Sequence, residues 1–232
     1  MTEEQWKEVD NYLFENLLPA DSALTQALDD SRLAGLPAIS VSPTQGQFLQ
    51  MLAHLAGARS ILEIGTLGGY STIWLARGLR AGGRVVTLEL NPKHVEIARR
   101  NIARAGFHDV VDVHEGNALE ILPQFVTEKR GPFDLIFIDA DKPSIPAFFE
   151  WSLKLSRAGT LIVVDNVIRD GAVIDPESDD PRKAGVRRFF EMLGDEPGVT
   201  ATAIQMVGTK GYGGFAFAIV EQGRMPAIES RD

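Results

Sequence analysis

From Ser60 onward, short apolar runs rich in β-branched residues alternate with stretches whose apolar positions recur every three or four residues. The runs Ile61–Ile64, Arg84–Leu90, Val110–His114, Leu135–Ile138 and Leu161–Val164 predict strands. Between them Ser71–Arg80, Pro92–Ala105, Ala118–Phe125 and Pro146–Leu155 predict helices, and Pro92 and Gly106 punctuate one of these at its first turn and just past its end. Near-continuous apolar strands that alternate with helices make a parallel sheet covered on both faces. After Gly185 the rhythm changes. A helix near Arg187–Leu193 leads into Val199–Val207, a glycine-rich turn at Gly208–Gly214, and Phe215–Val220, which together predict an antiparallel hairpin. Ahead of the sheet, Gln5–Leu18, Ser22–Arg32 and Thr44–Ala56 predict helices placed to cover the ligand end. The expected fold class is α/β: a doubly wound, seven-stranded, mostly parallel sheet with an antiparallel C-terminal hairpin and extra N-terminal helices. A single domain is expected, with a helical cover over 1–58, a core sheet over 59–222 and a tail over 223–232.

Composition narrows the function. The apolar share of 44% and charged share of 24% suit an ordinary globular chain. No segment approaches the ~20 uninterrupted apolar residues that span a bilayer. The polar, acidic start Met1–Asp10 does not read as a signal or transit peptide. Cysteine is absent, which excludes disulfides and thiolate metal sites and fits a cytoplasmic location. With a net charge of −9 and scattered basic residues, the chain lacks the basic face that phosphate neutralisation requires. The expected partner is a small molecule, not nucleic acid or membrane.

Ligands of doubly wound sheets sit at the carboxyl ends of the strands. The first strand runs into Ile61-Leu-Glu-Ile-Gly-Thr-Leu-Gly-Gly-Tyr-Ser71. A phosphate-cradling loop would end in Gly-Lys-Ser/Thr, but Tyr70-Ser71 stands there; a dinucleotide fingerprint starting at Gly65 would need glycines where Leu67 and Tyr70 are. What remains is a loop that lets backbone approach a nucleoside without pyrophosphate. Glu89, 20 residues after Gly69 at the end of the second strand, suits a bidentate grip on ribose hydroxyls. The plainer alternative is a tight turn beside a solvated Glu89. Glu63, a charge inside an apolar strand, needs a partner: either a cationic ligand tail or an internal salt bridge.

The fourth strand ends in Asp139-Ala-Asp141-Lys142 and the fifth in Asp165-Asn166. Adjacent parallel strands lie ~4.8 Å apart, so side chains leaving the same ends converge. Asp139, Asp165 and Asn166 then offer three hard oxygen ligands, suited to Mg²⁺, with Mn²⁺ or Ca²⁺ also accepted. Singly, each Asp serves equally as a helix N-cap or turn residue; jointly, beside an acid-lined nucleoside loop, they point to a metal.

These residues resemble the cation-dependent O-methyltransferases, a family that includes catechol O-methyltransferase and the caffeoyl-CoA O-methyltransferases with their bacterial relatives. The similarity runs from about Ser40 to Val220 and is carried by Thr44-Gln-Gly-Gln-Phe-Leu, Leu62-Glu-Ile-Gly-Thr-x-x-Gly-Tyr-Ser71, Ile138-Asp-Ala-Asp-Lys142 and Val164-Asp-Asn166. The resemblance implies the Rossmann-like class I methyltransferase fold and S-adenosyl-L-methionine as cofactor. It implies that Val41, Glu63, Gly65, Thr66, Ser71, Glu89, Ala118 and Asp141 contact that cofactor. Asp139, Asp165 and Asn166 would hold the metal, Lys142 would be the general base acting beside Asp139, and the protein would be a homodimer. The sequence departs from the plant enzymes in having Pro143-Ser-Ile-Pro146 after the lysine, and Arg169-Asp170 where they carry tryptophan and asparagine. One aromatic wall is therefore missing; Arg169 is either a partner for a substrate carboxylate or a surface residue.

The expected activity is metal-dependent transfer of a methyl group to one hydroxyl of a small catechol-like phenol. Its rivals are a metal-independent methyltransferase, an NAD-dependent reductase, which the failed glycine spacing disfavours, and a non-catalytic cofactor-binding module. His54, His94, His108 and His114 match no part of the scheme and read as surface or packing residues.

Overall fold

Leu135–Ile138 (β4) buries all four of its side chains, because both faces of this strand are roofed by helices. Residues 2–175 and 178–221 are described by the computed structural model; the expected tail at 223–232 lies outside them. The chain runs α1 (Glu3–Leu17), α2 (Ser22–Leu33), α3 (Pro43–Leu55), β1 (Ser60–Ile64), α4 (Tyr70–Arg77), β2 (Arg84–Glu89), α5 (Pro92–Arg104), β3 (Val111–Glu115), α6 (Ala118–Thr127), β4, α7 (Ile145–Lys154), β5 (Leu161–Asp165), α8 (Pro181–Asp195), β6 (Val199–Gly208) and β7 (Gly211–Val220). The seven strands form one sheet in the order β3-β2-β1-β4-β5-β7-β6. The first five are parallel, and β7 joins β5 and β6 antiparallel.

Alternate strand residues feed two cores. Leu62, Ile64, Ile136 and Ile138 pack with Phe125, Phe149 and Phe189 of α6–α8 on one face. Ile61, Val85, Leu135 and Phe137 pack with Leu49, Trp74 and Ile102 of α3–α5 on the other. Burial on both faces selects the apolar, β-branched runs that made the strands legible.

Two boundaries differ from the expectation. Helix α8 begins at Pro181, well before Gly185, because the Asp180 carboxylate caps the Arg182 amide and Pro181 opens the first turn. Gly185 lies inside the helix, where a Cβ would come within 2.3 Å of the Lys142 carbonyl, so a glycine lets α8 press on the segment after β4. The turn at Gly208–Gly214 is also shorter than its glycines suggest. Strand pairing continues to Gly208↔Gly211, leaving Thr209 and Lys210 at the tip.

The N-terminal helices reach the carboxyl end of the sheet as expected. Asp10 of α1 accepts hydrogen bonds from the Thr209 amide (2.8 Å) and hydroxyl (3.0 Å), tying α1 to the hairpin tip. Ser42 and Gln45 form a reciprocal cap on α3.

Where β1 ends, Gly65 has φ +98° and a Cβ there would stand 2.1 Å from the Asp139 carbonyl oxygen. The Gly65→Ala substitution is expected to cost about 1–3 kcal/mol through overpacking and backbone strain. Urea unfolding checks this, and a midpoint equal to that of the parent would refute it.

Candidate active site

The parallel register brings four strand ends to one line. Ile64 pairs with Leu88 on one side and Ile138 on the other, and Ile138 pairs with Val164. One step further along stand Gly65, Glu89, Asp139 and Asp165, which line a cavity of about 640 Å³ together with Ala118, Asp141, Lys142 and Asn166. Val41, Thr66 and Ser71 line a smaller adjoining recess that shares Gly65 and Asp139 with it. Of the residues expected to contact a cofactor, only Glu63 lies on neither wall.

Glu89 is not a solvated carboxylate. It is buried, and its oxygens accept hydrogen bonds from the amides of Thr66 (3.3 Å), Leu67 (2.8 Å) and Asn91 (2.9 Å). His94 Nδ1 lies 3.3 Å from the same carboxylate. The acid thereby fixes the glycine loop while facing the cavity. His94, which the sequence suggested was a surface or packing residue, also lines the cavity. The signal was available: it lies in the first turn of α5, just after the acid-ended β2.

Glu63 is fully buried and accepts hydrogen bonds from the hydroxyls of Ser71 (2.6 Å), Thr72 (2.5 Å) and Thr87 (2.7 Å). Its partners are hydroxyls, not the lysine or arginine of an internal salt bridge. Burial pushes its carboxyl up to about 7 against the lowering effect of those three donors. In the sequence this cluster is visible only as scattered Ser and Thr on β2 and α4.

The second acidic centre is at the ends of β4 and β5. Asp165 is buried; burial and then the negative charge of Asp139 raise its carboxyl to about 7, with Lys142 pulling the other way. Lys142 is buried too, its Nζ 3.2 Å from Asp139 Oδ1 and 3.1 Å from the Asp165 carbonyl oxygen. Asp141 sits beside them with its side chain capping the Ser144 amide at 3.2 Å. Among the described residues no three His, Cys, Asp or Glu side chains gather as a metal cluster. The set here is leaner, two carboxylates and the Asn166 amide. That suits a hard cation such as Mg²⁺, which commonly takes one or two carboxylates and keeps several waters. Asp165 is buried beside the half-buried Asp139, and a cation between them would offset their repulsion.

The segment after β5 is strained. Asn166, Arg169 and Asp170 adopt φ of 56°, 57° and 56°, a region unfavourable for residues with a Cβ. Strand β7 holds it there: the Val167 amide donates to the Gly214 carbonyl (3.1 Å) and the Asp170 amide to the Tyr212 carbonyl (2.9 Å). The result turns Asn166 and Arg169 to the cavity wall, which Lys210 from the hairpin tip also joins. Sequence reasoning missed Lys210, because it read the glycines around it only as a turn.

The geometry agrees with the relatives. A family model described as O-methyltransferase matches residues 21–210. The chain is 54% identical over 221 residues to a catechol O-methyltransferase of Niastella koreensis, covering 95% of this chain and 100% of that one. It is likewise 54% identical over 213 residues to a catechol O-methyltransferase of Mycobacterium tuberculosis, covering 92% and 95%. Its fold matches a crystal structure of an O-methyltransferase from Bacillus cereus in complex with SAH, with a TM-score of 0.94 and 59% identity over 95% of this chain and 100% of that one.

The raised carboxyl of Glu63 makes a test. The folded protein keeps its proton up to about pH 7, whereas the unfolded chain loses it near 4.5, so stability falls as pH rises between these values. The loss amounts to about 3 kcal/mol by pH 8. Glu63→Gln, which cannot ionise, is expected to make that part of the profile shallower, leaving the share that Asp165 contributes. Urea unfolding from pH 5 to 8 checks it; parallel profiles for the two proteins would show that Glu63 does not titrate there.

Proposed function

The chain belongs to the O-methyltransferase family, and from that premise we propose a divalent-metal-dependent transfer of a methyl group to one hydroxyl of a vicinal dihydroxy aromatic. It is an S-adenosylmethionine-dependent O-methyltransferase like its relatives. The observation that carries the finer reading is the convergence of Asp139, Asp165 and Lys142 in the cavity that also holds the glycine loop and Glu89.

In this reading Glu89 grips the cofactor's ribose, and the loop at Gly65 and Thr66, with Val41, Ser71, Ala118 and Asp141, surrounds the rest of it. Glu63 contributes from behind, by fixing Ser71 through its hydroxyl. Asp139, Asp165 and Asn166 are the ligands proposed for Mg²⁺, with Mn²⁺ or Ca²⁺ as substitutes. When bound, that cation supplies positive charge that lowers the pKa of the acceptor hydroxyl. Lys142, in its neutral amine form once the bound cation takes over the charge it supplies to Asp139 at 3.2 Å, would be the base that receives the hydroxyl proton. The acceptor oxygen then forms its bond to the methyl carbon as the carbon–sulfur bond of the sulfonium breaks. Holding these atoms in line contributes most of the acceleration.

The acceptor is a small phenol, and the whole chain is read as one catalytic domain acting in the cytoplasm. Among the described residues no helix is long and apolar enough to cross a membrane. A homodimer belongs to the same proposal: Val9, Leu13 and Leu17, spaced four apart, leave an apolar stripe of α1 exposed.

Exhaustive chelation with EDTA is expected to abolish methylation of catechol, and added Mg²⁺ to restore it. Asp165→Asn should lower kcat about 100-fold or more, the several kcal/mol that metal charge stabilisation provides, while binding S-adenosylhomocysteine normally. Full turnover in the chelated protein would favour the metal-independent alternative, in which the aspartates only cap turns. Lys142→Met is expected to lower kcat by about 10²- to 10⁴-fold with little change in cofactor affinity. An unchanged kcat in this variant would remove the lysine from the chemistry.

A further inference from the structure

We propose that Arg169, assisted by Lys210, forms an anion subsite on the acceptor side of the cavity, so that the preferred acceptor carries a carboxylate. The proposal rests on the catechol reading above and names the substrate class of that site.

Three cations stand on the cavity wall: Lys142, Arg169 and Lys210. Lys142 is committed to Asp139 and the Asp165 carbonyl. Among the described residues, the buried Arg169 Nε has no hydrogen-bond partner and its guanidinium makes no ion pair. A buried guanidinium donor left empty is costly, and such groups in native proteins ordinarily have a partner. The protein nevertheless invests backbone strain in this position. Arg169 lies in the left-handed region with Asp170 and Gly171 following, and Tyr212 of β7 pins the turn. Strain held by packing at a cavity wall is a mark of a working site.

Lys210 approaches from the hairpin tip. Its ammonium donates to the Ala38 carbonyl at 2.9 Å and lies within electrostatic range of Asp165 and Asp139. It stands exposed at the rim, free to rotate a donor toward a ligand.

Position in the sheet separates this pair from the cofactor. The glycine loop and Glu89 leave β1 and β2, while Arg169 and Lys210 belong to β5 and the β6–β7 hairpin, across β4. A cofactor tail held at β1 therefore does not account for them. Gly213 and Gly214 line the same wall, and a Cβ at Gly213 would meet only Asn166 Oδ1, at 3.9 Å, so the wall is open at that point. The planar fork of arginine fits a carboxylate through two parallel hydrogen bonds.

The test compares 3,4-dihydroxybenzoate with its neutral methyl ester. The parent protein with Mg²⁺ is expected to show the higher kcat/KM for the acid, and this preference should shrink as salt is raised. Arg169→Gln should lower the acid-to-ester ratio of kcat/KM about 10- to 100-fold, mostly through KM, as expected for loss of a charge-assisted hydrogen bond. Lys210→Gln should lower it less, and Arg169→Lys should restore part of it. A parent protein that prefers the ester, a ratio that the variants leave unmoved, or an equal loss of S-adenosylhomocysteine affinity in Arg169→Gln would each overturn the subsite. If neither acceptor is methylated, the catechol reading fails. Calorimetric binding of the two compounds to the protein with Mg²⁺ and S-adenosylhomocysteine still decides the subsite: tighter binding of the acid supports it and equal binding refutes it.

Discussion

A buried carboxylate and a half-buried one side by side repel each other, and this repulsion organises the cavity. Asp139 and Asp165 follow the paired residues Ile138 and Val164, so the sheet register itself forces their side chains together. Burial of Asp165 first, and the charge of Asp139 second, lift the Asp165 carboxyl to about 7. The Lys142 ammonium relieves part of the tension. A second positive charge would relieve more, and Asn166 adds a neutral oxygen donor without adding to the repulsion. The same register that makes the core thus makes a site that attracts cations.

Everything around that pair is built to keep it from relaxing. Gly65 lets β1 run so close to the Asp139 carbonyl that no Cβ fits between them, and Gly185 lets α8 lean on the backbone of Lys142. On the far side, the left-handed turn after β5 is stitched to β7 by the Val167 and Asp170 amides. Asp10 holds the hairpin tip through Thr209. Apart from the Asp10 carboxylate, each of these contacts is made by backbone, so a rotamer change cannot undo it. The carboxylates are fixed by the main chain, which is where precision at an active site is most secure.

Much of this was legible in the sequence, for a physical reason. Strands buried on both faces must be apolar throughout, so Leu135–Ile138 and Leu161–Val164 announce themselves, and an Asp directly after such a run marks a strand end. The acids at 89, 139 and 165 could therefore be placed on one edge before any coordinates. What could not be read depends on contacts between distant segments. Helix α8 starts at Pro181 because Asp180 caps it, but Asp-Pro reads equally well as a turn. Gly213 and Gly214 lie within β7, though glycines in sequence suggest a loop. The hydroxyl cage of Glu63 draws Ser71, Thr72 and Thr87 from two elements. Lys210 reaches the cavity only because the hairpin folds back onto the carboxyl end, a fact of topology that no local pattern encodes.

The two acidic centres solve the same problem differently, and the contrast bears on what the cavity does. Glu63 is satisfied internally: three hydroxyls donate to it, its proton suits its burial, and no charge need come from outside. Among the described residues Asp139 and Asp165 have no such cage: Lys142 pairs with the Asp139 carboxylate, the Asn166 backbone donates to that of Asp165, and both acids line the cavity. A carboxylate that needed only to be stable would be treated as Glu63 is. Leaving two of them short of partners, next to an arginine short of an acceptor, costs folding energy. In the proposed reading that cost is offset when ligands bring the missing charges: a cation for the aspartates and an anion for Arg169. A phenol bearing a carboxylate, presented beside a hard cation, would meet both demands at once.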